Sequence, residues 1–181
     1  MIVFITGGAK NGKSSLAQTL AVQLSRGGKH YYIATMIPSD QEDRDRIRRH
    51  IADRDGLGFE TVEQGRDIAK VLTKADPQGS FLLDSVTALL LNELFPDPTS
   101  CEMDGEAADR CQKGLTELCD KVANIVLVSD YIYSDAARYD EVTETYRRGL
   151  AQLDRYLAFR ADTVIEVSAG NLIFHKGELP Q

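Results

Sequence analysis

With 181 residues, 43% of them hydrophobic and 27% charged, the chain is expected to form one globular domain with a sheet covered on both faces. Its net charge of -7 excludes the broad basic footprint of a nucleic-acid binder. It does not exclude a phosphate ligand, because backbone N–H groups can gather phosphates locally.

In chain order, short apolar runs at 2–6, 30–34, 80–84, 124–129 and 163–168 read as buried parallel strands. Between them lie helix patterns. Residues 13–24 place Leu16, Leu20 and Leu24 on one face and stop at Arg26-Gly27-Gly28. Residues 41–53 form a highly charged helix with little apolar surface. Further helices are expected at 67–75, 86–95, 106–122 and 141–159, and a loop at 97–104. A last strand at 171–175, after Ala169-Gly170, should fold back on its predecessor as a hairpin. Alternating strands and helices imply an α/β fold with a mainly parallel sheet. The apolar start lacks the basic residues and cleavage site of a signal peptide. No stretch reaches the ~18 apolar residues of a membrane span, so a cytoplasmic address is expected.

Gly7-Gly8-Ala9-Lys10-Asn11-Gly12-Lys13-Ser14 matches G-x-x-x-x-G-K-[ST], between an apolar strand and an amphipathic helix. Glycines let the backbone turn its N–H groups onto phosphates, and the helix N-terminus adds a positive dipole end. Lys13 should reach the β/γ-phosphates and the Ser14 hydroxyl should ligate Mg²⁺, with Ser15 continuing the nucleotide site. The alternative is a chance glycine turn. A second acidic signal is Asp84, closing the run Phe81-Leu82-Leu83, on a strand expected beside the first. Asp84 either holds Mg²⁺ or caps the helix that follows.

Arg44, Arg46, Arg48, Arg49 and His50 crowd into seven residues, about two helical turns. Arg46 and His50, four apart, share a face that can gather phosphate oxygens beside an imidazole. The plainer reading is a solvated face paired with Asp40, Glu42, Asp43 and Asp53. His30 and His175 read as ordinary strand-end residues. Tyr131 and Tyr133 follow the 124–129 strand, where α/β proteins bind ligands, and either stack on a base or pack. Cys101, Cys111 and Cys119 are odd in number and lack Cys-x-x-Cys, which argues for free thiols over a disulfide framework or zinc site.

Taken together these motifs resemble the bifunctional adenosylcobinamide kinase / adenosylcobinamide-phosphate guanylyltransferase family. The start resembles that family's Thr-Gly-Gly-Ala-Arg-Ser-Gly-Lys-Ser. Tyr32-Ile33-Ala34-Thr35 is similar to its Tyr-Ile-Ala-Thr, and Arg46-Ile47-Arg48-Arg49-His50 to its Arg-Ile-x-x-His. Phe59-Glu60-Thr61-Val62-Glu63 resembles Trp-x-Thr-x-Glu, which places Glu63 with the nucleotide-binding residues. Leu82-Leu83-Asp84-Ser85-Val86-Thr87 and Asn92-Glu93-Leu94-Phe95 resemble its second nucleotide strand and the next helix. Three segments depart. Ile51 and Arg54-Asp55 replace an arginine and Arg-Pro; Asp130-Tyr131-Ile132-Tyr133 replaces Asn-Glu-Val-Gly; Asp154-Arg155 replaces Asn-Gln.

The resemblance implies a P-loop three-layer α/β/α fold of recombinase type and a trimer. It implies GTP or ATP as co-substrate with Mg²⁺, and His50 attacking the α-phosphate of GTP to carry GMP. Adenosylcobinamide would be phosphorylated and then guanylylated. Two rival readings are a P-loop kinase for another hydroxyl acceptor and a nucleotide-binding regulatory protein that transfers nothing.

Overall fold

The computed structural model describes residues 1–97, 99–100 and 102–179. Cys101 lies outside them, and the loop expected at 97–104 falls partly outside. Seven strands form one sheet: β1 (Ile2–Gly7), β2 (His30–Ala34), β3 (Glu60–Glu63), β4 (Ser80–Asp84), β5 (Asn124–Asp130), β6 (Thr163–Ser168) and β7 (Asn171–Lys176). Their spatial order is β3-β2-β4-β5-β1-β6-β7. All neighbouring pairs are parallel except β6–β7.

The helices are α1 (Lys13–Ser25), α2 (Gln41–Asp53), α3 (Val86–Leu94), α4 (Ala107–Lys121) and α5 (Glu141–Arg160). Strand alternation sorts the core into two halves. Phe4, Ile33, Phe81, Leu83, Ile125 and Leu127 point to the face covered by α3, α4 and α5. Val3, Ile5, Tyr32, Leu82, Val126 and Val128 point to the face packed by α1. Each large apolar side chain buried there contributes about 1.5–3 kcal/mol. The layers are therefore helix, mainly parallel sheet, helix, as the sequence implied.

Three local expectations change. The strand carrying Asp84 does not neighbour β1, because β5 lies between β4 and β1. Ile125, Val126, Leu127 and Val128 are buried on both faces, which suits β5 to that central place. The helix expected at 67–75 is a 3-10 helix at Ile68–Thr73. Ile68 and Val71 are its buried residues, and a spacing of three matches the 3-10 period. Glu60–Glu63 forms an edge strand that its sequence hid, since only Val62 is buried. The hairpin is as expected: Ala169 (φ 49) and Gly170 (φ 79) make the two-residue turn between β6 and β7. No described helix is long and apolar enough to cross a membrane.

Candidate active site

The loop between β1 and α1 is shaped by its glycines. Gly7 adopts φ 152 with its α-carbon against the Val167 backbone, where any Cβ would collide. Gly12 adopts φ 94 and serves as the N-cap of α1 without a side-chain cap. Gly12 has no side chain to cap the first turn of α1, and of its N–H groups Lys13 makes a long 3.4 Å bond to Asn11 Oδ1, which leaves a helix start suited to an anion. Asn11 braces the loop by donating from Nδ2 to the Val167 carbonyl.

Lys13 is only 5% exposed. Its Nζ donates to the Gly8 carbonyl at 2.6 Å and to Asn11 Oδ1 at 3.3 Å. Its ionic partner is Asp130 Oδ1, also at 2.6 Å. Asp130 closes β5, lies opposite Gly7 in the strand register, and donates its backbone N–H to Thr87 Oγ1 at 2.9 Å. Sequence reading assigned Asp130 no role. The signal was present, since an acid closing an apolar strand is the pattern that singled out Asp84.

Asp84 closes β4, and its Oδ2 accepts from the Tyr32 hydroxyl at 3.0 Å. Burial first, then the Asp84 charge, pushes the Tyr32 phenol far above its ordinary range, so it remains a donor. Asp84 does not cap α3. Ser85 does, accepting from the Ala88 N–H at 3.2 Å. Ser14, in the first turn of α1, and Asp84 stand at the same carboxyl edge of the sheet. No three His, Cys, Asp or Glu among the described residues form a ready-made metal cage. One hydroxyl and one carboxylate still fit Mg²⁺, which takes few protein ligands and completes its shell from phosphate and water.

The arginine-rich helix α2 has no buried residue. Arg49 bonds the Asp45 carbonyl and stays on the solvated face, while Arg48 pairs with Asp45 at the rim of a cavity. Arg44, Arg46 and His50 line that cavity of about 560 Å³ with Arg48, together with Tyr32, Arg54, Glu63 and Asp84. His50 Nδ1 is buried and has no hydrogen-bond partner among the described residues. Arg54, absent from the sequence candidates, lies 4.2 Å over the Tyr32 ring and donates to Thr61 Oγ1 at 3.2 Å. The structure thus brings His50, Glu63 and Asp84 to one cavity, which the loop residues from Gly7 to Ser15 do not line. A second cavity of about 540 Å³ has Asp130 in its wall.

Tyr131 and Tyr133 are tied down, their hydroxyls donating to Glu166 at 3.2 Å and Asp154 at 2.8 Å. His30 sits between the Gly28 and Leu57 carbonyls and His175 on Glu166, ordinary strand-end contacts.

A profile for cobinamide kinase / cobinamide phosphate guanyltransferase matches residues 3–173. The chain belongs to the cobinamide kinase / cobinamide phosphate guanyltransferase family. One relative, the bifunctional adenosylcobalamin biosynthesis protein CobP of Pseudomonas aeruginosa, is 32% identical over 96% of both chains. The protein CobU of Salmonella typhimurium, with the same bifunctional description, is 29% identical over 94% of this chain and 97% of its own. Among solved structures, a KaiC-like protein from Pyrococcus horikoshii superposes with a TM-score of 0.56 at 16% identity, over 98% of this chain and 80% of that one. A solved ATPase domain superposes with a TM-score of 0.54 at 12% identity, over 99% of this chain and 78% of its own. At such identities these two show the fold alone, a P-loop fold of recombinase type. Membership of the cobinamide kinase family accounts for the P-loop and for nucleoside triphosphate use.

Proposed function

We propose that this protein phosphorylates the aminopropanol hydroxyl of adenosylcobinamide and then transfers GMP to the new phosphate. It would work as a single cytoplasmic domain and a homo-oligomer, a trimer by family resemblance. The observation that carries the reading is the separation of two phosphate-ready places at one sheet edge. One is the glycine-capped N-terminus of α1 with Lys13; the other is the cavity holding His50, Arg46 and Arg54. Two places suit two transfers from nucleotides.

In the first transfer, the N–H groups from Gly8 to Ser15 and the Lys13 ammonium bind triphosphate oxygens. Ser14 and Asp84 would hold Mg²⁺, which when bound offsets phosphate charge. Tyr32 orients the Asp84 carboxylate through its hydroxyl. In the second transfer, a His50 ring nitrogen attacks the α-phosphorus of GTP and pyrophosphate leaves. Arg46 and Arg54 offset charge on the phosphorus oxygens, and Glu63 lies within reach of a base in the same cavity. An oxygen of cobinamide phosphate then attacks that phosphorus and frees the histidine.

GTP labelled separately in the base and in the γ-phosphate, incubated with Mg²⁺ and adenosylcobinamide, tests the proposal. The expected result is γ-label on cobinamide and base label first on the protein, then on the product. A second reading, a kinase for another hydroxyl acceptor, draws on the altered segment after β5, where Tyr131 and Tyr133 are committed to Glu166 and Asp154. Phosphate transfer to a different alcohol with no base label would establish it. Bound but unchanged GTP would refute both.

A further inference from the structure

We infer that Asp130 is the group that receives the acceptor hydroxyl, and that triphosphate frees it for this task by drawing Lys13 away. The inference rests on the kinase half of the proposed function and adds a catalytic residue and an acceptor route to it.

Three placements support it. Asp130 is opposite Gly7 in the β1–β5 register, so its carboxylate stands beside the loop that would hold the phosphates. Its Oδ1 carries the Lys13 ammonium at 2.6 Å, the group expected to move onto the β/γ-phosphates. Its side chain also walls the second cavity, whose other lining includes Met36, Leu91, Phe95 and Tyr146. Asp84, by contrast, faces the His50 cavity and accepts from Tyr32. The two strand-end acids thus line neighbouring cavities, which share Met36, Arg46 and Ser85 as a common wall. The second one sets Met36, Leu91, Phe95 and Tyr146 beside Arg46, Arg66 and Asn92, a mixed wall that suits an alcohol on an arm with both hydrocarbon and amide groups.

The electrostatics make the order of events natural. Lys13 and Asp130 neutralise one another in the pair they form. When the triphosphate takes the ammonium, a carboxylate is left without its cation beside added negative charge, an unfavourable state. Taking a proton relieves it. In the step itself, the acceptor oxygen forms a bond to the γ-phosphorus and the bond to the β,γ-bridging oxygen breaks. The nucleoside diphosphate leaves with that electron pair, and the hydroxyl proton passes to Asp130 and then to water. The backbone N–H of Asp130, bonded to Thr87 Oγ1, keeps the residue in place while its side chain changes partner.

Asp130→Asn and Asp130→Ala test this, with circular dichroism confirming folding. Single-turnover transfer from γ-labelled triphosphate to adenosylcobinamide should fall by about 100-fold or more, the usual worth of a positioned base. Triphosphate affinity, measured by equilibrium dialysis without acceptor, should rise at least about threefold in Asp130→Ala, because a competitor for Lys13 is gone. GMP labelling of His50 should stay at the wild-type level. Transfer within about threefold of wild type in folded variants would overturn the inference, as would unchanged or weakened triphosphate affinity. If the wild-type protein itself fails to phosphorylate adenosylcobinamide, the proposed function falls. The affinity measurement then still decides the exchange of Lys13 between Asp130 and phosphate.

Discussion

Replacing Asp154 by Asn should stabilise the protein at neutral pH. Asp154 lies on the buried face of α5 at 4% exposure. Its Oδ2 accepts from the Tyr133 hydroxyl at 2.8 Å, while its Oδ1 is buried without a partner among the described residues. Burial pushes the carboxyl up from 3.8 to about 6, with the Asp130 charge adding to the rise and the Ser129 and Tyr133 hydroxyls opposing it. Below the ordinary carboxylate pKa, both folded and unfolded chains hold the proton and the group costs nothing. Between there and about pH 6 the unfolded chain has released its proton and the native one has not, so stability falls as pH rises. Above about 6 the native state carries the whole penalty, a shift of about two units or ~3 kcal/mol. Asparagine keeps an oxygen for Tyr133 and removes the charge, but its new N–H groups need an acceptor, an offset of about 1 kcal/mol. The net gain at pH 7.5 is ~2 kcal/mol, or about 4–8 °C in Tm for a chain of this size. Thermal unfolding followed by circular dichroism from pH 4 to 8 measures it. The wild-type curve should lose stability from this group up to about pH 6, and that component should vanish in Asp154→Asn. A variant no more stable than wild type at pH 7.5 would refute the reasoning.

Lys13→Ala should lower triphosphate affinity at the phosphate loop by about 100-fold or more and abolish phosphorylation of the acceptor, as read by equilibrium dialysis and γ-labelled GTP assays; unchanged affinity in a folded variant would remove the P-loop from the mechanism. Asp84→Asn should cost on the order of 100-fold in rate with little loss of Tm, since an amide supplies no anionic oxygen to Mg²⁺, and full activity would leave Asp84 merely a partner of Tyr32. His50→Ala should abolish an alkali-stable, acid-labile GMP adduct seen by mass spectrometry, while phosphorylation of the acceptor stays within about twofold; an adduct that persists in this variant lies elsewhere. Burial pushes the Cys111 thiol up to about 12 and Cys119 to about 11. Both should resist alkylation at pH 8 in the native protein and react fully in denaturant, and rapid native labelling of either would contradict their burial.

The phosphate loop, the buried strand runs and the terminal hairpin were legible in the sequence because each is local. Gly7, Gly12 and Gly170 sit where positive φ is required, and Lys13 follows Gly12 directly into the helix. The resemblance of Arg46 through His50 to a family motif also needed only adjacent residues. What stayed hidden depends on chain segments meeting from far apart. Lys13 and Asp130 are 117 positions apart, and Tyr32 and Asp84 are 52. Asp84 and Asp130 end similar apolar runs, so nothing in either run says which will pair with the lysine. Strand order decides it. A run buried on both faces announces that it is central, but fully apolar strands such as β4 and β5 are alike in pattern, and either could neighbour β1. The choice is made by how α1 on one face, and α3, α4 and α5 on the other, close over the sheet together. Asp154 became a buried acid for the same reason. Its place in the stripe of Leu150, Leu153 and Leu157 is helical periodicity, but its burial exists only once α5 is packed on the sheet.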